Sequence, residues 1–412
     1  MTKIVFAAII LTGLLFNSCS DSPGSDKPDS IAVSRGEQLF TQKCSSCHNF
    51  SQDAIGPQLS GVAVTSNVNW IHDFIKDPKA VVEAGDTHAV QLVQKYHAIM
   101  PSFAGLSDDQ LMDIISFLRT KKPLAHPVKD DPLAVKNPVP GKISMSEMVL
   151  NLEPLIKIPA SSNDMPRTRI NKLDYEPGSG DLYVMDLRGK LYKLYGNKTS
   201  VYLNLASVVS KFIHEPGLGT GFGSFAFHPD FLHNGLLYTS HTEPANTTHA
   251  DFTYVDSIRK TVQWVITEWK ATNPKAASFV GSSRELLRID MVEGMHGVQE
   301  IAFNPTAIVG NPDYGKLYIG IGDGAAAEKG YPFLAADKDK VYGKILRIDP
   351  IGRNSRNGEY GIPGDNPFAR SNPRMILPEL YSSGFRNPNR INWTASGKML
   401  VTNIGHGNIE AV

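Results

Sequence analysis

Apolar residues in the first third of the chain recur at helical spacing. After Ser107-Asp108-Asp109-Gln110, the side chains of Leu111, Ile114, Ile115 and Leu118 fall on one face, and Pro123 closes the run. Ser34-Arg35-Gly36-Glu37 has the form of a capping box and predicts a helix start ahead of Phe40. Between the two, residues Asn69 to Asp77 predict a short helix that buries Trp70 and Phe74 and ends at Pro78. In the second half of the chain helical periodicity fades, and short apolar-aromatic strands separated by Gly and Pro turns take over. An approximate repeat runs through it: a strand, a turn, then Gly-x-Leu or Gly-x-x-Leu leading into a second strand. Its copies are Lys172–Asp186, Ser224–His241, Glu300–Asp323 and Arg390–Gly405, with further strands at Gln263–Trp269, Glu285–Asp290 and Lys344–Asp349. Repeated antiparallel sheets with unequal insertions predict an all-β propeller, with a β-sandwich as the structural rival.

At 412 residues the chain is longer than one ordinary domain. Prolines at 123, 127, 132, 138 and 140 predict a stiff, extended spacer and put the domain boundary there. The expected plan is a signal segment over 1–18, a flexible Ser/Asp/Pro/Gly tether over 19–32, a small all-α domain over 33–122, a Pro-rich linker over 123–145 and the β-domain over 146–412. Basic and acidic residues balance at 41 each, which argues against a nucleic-acid-binding surface. Lys3 precedes an apolar run from Ile4 to Phe16, too short for a mature membrane span. The run ends in Phe16-Asn17-Ser18-Cys19, which resembles a bacterial lipoprotein signal. That resemblance implies export, lipidation of Cys19 and membrane anchorage, with ordinary signal cleavage nearby as the alternative.

Cys44-Ser45-Ser46-Cys47-His48 carries the sharpest chemistry in the sequence. Two thiols three residues apart with a histidine directly after is the spacing for covalent attachment of haem c. Each sulfur adds to a vinyl group, and the histidine lies beneath the iron. A redox dithiol or half of a zinc site is the alternative, but no second C-x-x-C is present. Three helices around such a motif resemble a class I cytochrome c over roughly ninety residues. The resemblance implies that Gly36 and Phe40 pack against Phe117, that Met100 is the second axial ligand to iron, and that the Pro57 carbonyl holds the ring N–H of His48. His72, His88 and His97 are the rival ligands, and core filling is the alternative for Met100.

The segments Gly294–Pro305, Gly315–Gly324, Gly343–Pro350, Tyr360–Ala369 and Pro378–Arg390, preceded by FAFHPDF at Phe225–Phe231, are together similar to the soluble glucose/sorbosone dehydrogenase family. Its members are six-bladed propellers that use pyrroloquinoline quinone (PQQ) and calcium. The resemblance implies that His296 is the general base, that Arg386 stabilises charge developing on the quinone oxygen and that Asn387 helps hold PQQ. It also implies backbone carbonyls at Gly405 and His406 for calcium. Three departures stand out. Val298 and Gln299 replace a Gly-Gly pair, and Gly219 aligns where sugar oxidisers place a glutamine. About four blade starts are visible where closure needs six, so the sequence is expected to be a C-terminally truncated piece. Gly320-Ile321-Gly322-Asp323-Gly324 lacks phosphate-loop spacing and is expected to be a tight turn; His228 and Asp230 are read as turn chemistry.

The expected function is that of an exported quinohaemoprotein that oxidises a sugar or other alcohol in the propeller. Its fused haem then passes electrons to a downstream cytochrome or oxidase. The alternative is a lipid-anchored electron-transfer cytochrome whose non-catalytic propeller binds a partner or a carbohydrate.

Overall fold

The computed structural model describes residues 29–45, 47–51, 53, 56–96, 99–124, 147–163, 166–215 and 219–405. The signal segment, Cys19, nearly all of the tether, and the linker from 125 to its end lie outside the described residues, as do His97 and His406.

Among the described residues six helices form the first domain: α1 (Ser30–Lys43), α2 (Val62–Thr65), α3 (Val68–Lys76), α4 (Pro78–Glu83), α5 (Thr87–Tyr96) and α6 (Asp108–Arg119). The sequence pattern showed three of them. The capping box of α6 forms in full: Gln110 N donates to Ser107 Oγ at 3.2 Å and Ser107 N donates to Gln110 Oε1 at 3.0 Å. The box expected at Ser34 does not cap a helix. Asp29 lies upstream and accepts from Ile31 N, so α1 starts at Ser30, within the stretch expected to be tether, and Ser34 is internal. Pro78 does not simply end α3; it opens α4, where its missing N–H costs nothing. Buried Ile71 anchors α3, while half-buried Trp70 and Phe74 stack with centroids 4.8 Å apart and line a cavity, Trp70 also packing against the core.

α1 and α6 cross at Gly36, where a Cβ would stand 1.9 Å from Asp113 O. The close approach lets Arg35 grip the Asp113 carboxylate twice, at 2.7 and 2.8 Å. It also brings Phe40 to 5.4 Å from Phe117 in a core shared with Ile114, Ile115 and Leu118.

The second domain is built from antiparallel sheets. Strands β1 (Ile170–Tyr175), β2 (Leu182–Asp186), β3 (Lys190–Tyr195) and β4 (Lys198–Asn204) make the first. β5 (Phe222–Phe227), β6 (Leu236–Pro244), β7 (Val262–Ala271) and β8 (Gly281–Met291) make the second. β9 (Glu300–Phe303), β10 (Leu317–Ile321), β11 (Lys344–Ile348) and β12 (Leu380–Ser383) make the third, and β13 (Pro388–Trp393) pairs with β14 (Met399–Asn403). Within each sheet the chain simply goes up and down, and the first strands β1, β5, β9 and β13 converge on one another. Lys172 Nζ on β1 reaches Phe225 O on β5 at 3.0 Å and Glu300 Oε1 on β9 at 2.7 Å. Arg390 on β13 donates to Gln299 O beside β9 and to Asn171 Oδ1 on β1. Such radial convergence is the blade arrangement of a propeller, not the face-to-face stacking of a sandwich. Between neighbouring sheets lie three aromatic-rich cores among the described residues, around Trp264, Tyr238 and Ile319, around Tyr183, Phe227, Phe231 and Trp269, and around Tyr318, Ile345 and Ile391 with Trp393.

Candidate haem pocket and candidate active site

The C-terminus of α1 delivers Cys44, and the turn after it places Cys47 and His48, whose amide donates to Cys44 O at 3.0 Å. They open onto a cavity of about 510 Å³ whose lining includes Met100, Trp70, Ile114 and Leu118. His48 Nδ1 donates to Pro57 O at 2.9 Å, which leaves Nε2 as the lone-pair nitrogen. Burial lowers the His48 pKa against the pull of that carbonyl, so the ring is kept neutral, as an iron ligand must be. Gly56 has no room for a side chain, since a Cβ would lie 2.5 Å from His48 Cε1. Burial also pushes the Cys44 thiol up to about 12, whereas a redox dithiol needs a readily formed thiolate. A large apolar slot with two thiols and a fixed neutral imidazole on its wall fits a covalently held haem. Of the rival ligands, His72 is tied to Asp73 and Asp108 on the surface, and His88 lies on the cavity wall stacked 4.6 Å from Trp70.

In the β-domain, the loops before β9, after β10 and before β13 meet. His296 sits there at φ 51°, a left-handed backbone that a non-glycine residue adopts only at a cost. Its Nδ1 lies 2.8 Å from Asp323 Oδ1. Backbone bonds lock the loops together: Gly322 N to Gly297 O, Gly324 N to His296 O and Asp323 N to Arg386 O. Gly322 must lack a side chain, because a Cβ would be 2.2 Å from His296 O. Asp323 is buried. Burial raises its pKa, but the hydrogen bond and charge of His296, the Ala325 amide and Arg386 outweigh this and hold it below the usual carboxylate range. An ionised Asp323 accepting the Nδ1–H of His296 leaves Nε2 free to take a proton.

Arg386 and Asn387 stand beside this pair. Arg386 donates to Gly405 O at 2.8 Å and pairs with Glu328 at 2.5 Å. Asn387 is 3 % exposed, yet its Oδ1 has no hydrogen-bond partner among the described residues. Asp323, Glu328 and Arg386, with Ala327, Ala335 and Phe385, line a cleft of about 410 Å³. Toward a quinone that bears carboxylates, Arg386 could offer its guanidinium once Glu328 is displaced, and Asn387 Oδ1 could accept a ring N–H, beside the oriented imidazole of His296. The Gly405 carbonyl already holds Arg386, and no cluster of three or more His, Cys, Asp or Glu side chains gathers among the described residues.

The role of Asp323, the presence of Glu328 and one contact at this site escaped the sequence reading. Asp323 lay in the glycine-rich stretch read only as a turn; it is a turn, but its carboxylate serves His296. Glu328 carried no motif at all. Gln299 and Gly219 looked like separate departures, yet they meet in space: a Cβ on Gly219 would be 2.3 Å from Gln299 Nε2. The glutamine fills the room the glycine leaves, with its Oε1 held by Asn389 at 2.7 Å.

The glucose/sorbosone dehydrogenase family matches residues 177–410, and the cytochrome c family matches residues 33–122. Hedgehog-interacting protein of Mus musculus is 27% identical over 211 residues, 51% of this chain and 27% of that protein. Quinoprotein glucose dehydrogenase B of Acinetobacter calcoaceticus is 25% identical over 232 residues, covering 53% of this chain and 42% of that protein. The chain thus spans less than half the length of these curated relatives. Among solved structures, the soluble aldose sugar dehydrogenase of Escherichia coli in its apo form is similar at a TM-score of 0.40 and 19% identity, covering 58% of each chain. Cytochrome c from Rhodothermus marinus is similar at a TM-score of 0.22 and 28% identity, covering 24% of this chain and 84% of that one.

Proposed function

Because the chain belongs to the glucose/sorbosone dehydrogenase family and carries a cytochrome c domain ahead of that region, we propose that it is an exported, PQQ-dependent sugar or alcohol dehydrogenase that hands its electrons to its own haem. The observation that carries this reading is the His296–Asp323 pair set beside Arg386 and Asn387. His296 Nε2 takes the proton of a substrate hydroxyl, while Asp323 orients the ring and stabilises the imidazolium that results. Arg386 offers positive charge where an anionic oxygen forms, and Asn387 supplies a buried amide to an edge of the cofactor. PQQ, when bound, supplies the hydride acceptor, and haem c on Cys44, Cys47, His48 and Met100 supplies a one-electron acceptor joined to the same chain. Calcium belongs to the proposal only through the Gly405 and His406 carbonyls, and a cation at Gly405 requires Arg386 to release that oxygen. Lipidation at Cys19 would hold the protein to a membrane, where a cytochrome or oxidase collects the electrons.

The test is to export the full chain with haem, add PQQ and Ca²⁺, and follow the reduced-haem absorbance on addition of aldoses and simple alcohols. Reduction that requires both PQQ and substrate supports the proposal, and no reduction with any of them contradicts it. A second reading, a tethered cytochrome whose propeller only docks a partner or a carbohydrate, is favoured by the pairing that already occupies Arg386. It predicts carbohydrate or partner binding without haem reduction in the same experiment.

A further inference from the structure

The cleft beside His296 is lined by three charged side chains, and two of them are negative. Asp323 is committed to His296, and Glu328 holds the guanidinium of Arg386 at 2.5 Å. Glu328 sits in the loop that follows Asp323, between Ala325 at φ 57° and Gly330 at φ 88°. Its neighbour Lys329 pairs with Glu293 at 2.8 Å. Among the described residues Arg386 is the one cationic side chain on that lining, and its guanidinium is held internally by the Glu328 carboxylate and by the Gly405 and Ile404 carbonyls. An acidic ligand entering here meets a closed ion pair instead of a free guanidinium.

We propose that Glu328 is an internal anion that occupies Arg386 until an acidic ligand displaces it, and so sets how tightly the cleft takes its cofactor. This rests on the reading above that the ligand is a carboxylate-bearing quinone. Displacement exchanges one oxygen anion for another on Nη2 of Arg386, while Nη1 keeps the Gly405 carbonyl, so the gain in binding is only the difference between the two pairings. The pair is partly open to solvent, at 21% and 36% side-chain exposure, which keeps it breakable.

The experiment is equilibrium dialysis of PQQ against the full haem-loaded chain, without substrate, for the wild type, Glu328→Gln and Glu328→Ala. Far-ultraviolet circular dichroism and haem absorbance would check that both variants fold. Removing the competing anion is expected to tighten PQQ binding about three- to tenfold. The difference should shrink as salt rises. In an Arg386→Gln background the Glu328 substitutions are expected to change nothing further, because their effect runs through the guanidinium. Wild-type binding that Glu328→Gln leaves unchanged or weakens overturns the internal-anion role alone and makes Glu328 a support for Arg386. A gain that persists without Arg386 also overturns it. If neither the wild type nor the variants bind PQQ, the proposed function falls and this inference with it.

Discussion

Holding His296 at φ 51° costs the backbone on the order of 1 kcal/mol or more, and the loops around it are stitched by three backbone hydrogen bonds that keep it there. The strain fixes which way the imidazole faces, and Asp323 fixes which nitrogen carries the proton. His296→Gln is therefore expected to lower substrate-dependent haem reduction by about a hundredfold or more while PQQ binding persists. Asp323→Asn acts through the histidine. It is expected to reduce kcat by a similar factor with little change in KM, and to displace the pH profile of kcat, which a merely structural role would not do. On the haem side, Met100→His is expected to lower the reduction potential on the order of 0.1 V, since axial ligands tune haem across roughly 0.8 V. The same residues show what the sequence could and could not reveal. Cys44, Cys47 and His48 were legible because attachment chemistry demands a fixed local spacing. Asp323 was not, because its role depends on a histidine 27 positions away and its own surroundings look like any glycine turn.

Local patterning was a good guide wherever one face of an element is buried against its own domain. α6 and the eleven strands foreseen from their apolar-aromatic runs form because their apolar positions have a core to meet; β4 and β12, the outer strands of their sheets, are polar at half or more of their positions, and in β3 Lys190 and Lys193 interrupt the apolar run although the strand is mostly buried. The start of α1 was misplaced for a plainer reason: two capping signals compete, and the upstream one at Asp29 is free to act. Where α1 crosses α6, Gly36→Ala is expected to cost roughly 1–3 kcal/mol, measured as earlier loss of helical signal on heating, because the new methyl meets Asp113 O. β11 gives a pH test. Burial lowers the Lys344 pKa from its ordinary 10.5 to about 8. From pH 8 to about 10 the unfolded chain binds the extra proton, so stability of the β-domain should rise with pH across that window. The rise should be on the order of 1–3 kcal/mol by urea unfolding and absent in Lys344→Met.

Across the molecule, the blades are joined at their first strands by buried charge as well as by apolar packing. Lys172 and Glu300 are 7% and 1% exposed, and burial pushes the Glu300 carboxyl up against the opposing pull of Lys172 and Arg390. Glu300→Gln leaves Lys172 with Asp174, at 3.3 Å, as its anionic partner and is expected to destabilise the β-domain by roughly 1–3 kcal/mol; adding Lys172→Met should restore part of it. None of this was visible from the sequence, in which the two residues stand 128 positions apart. The fusion itself was visible, as a change of period from helix to strand across a proline-rich stretch, and it gives the account its central claim: one chain both oxidises the substrate and receives the electrons. The most direct test is anaerobic stopped-flow mixing of the PQQ-loaded, haem-bearing full chain with an aldose, repeated over a tenfold range of protein concentration. The account predicts haem reduction at a rate independent of protein concentration, as transfer within one chain requires. Haem that stays oxidised, or a rate that climbs in proportion to protein concentration, would contradict it.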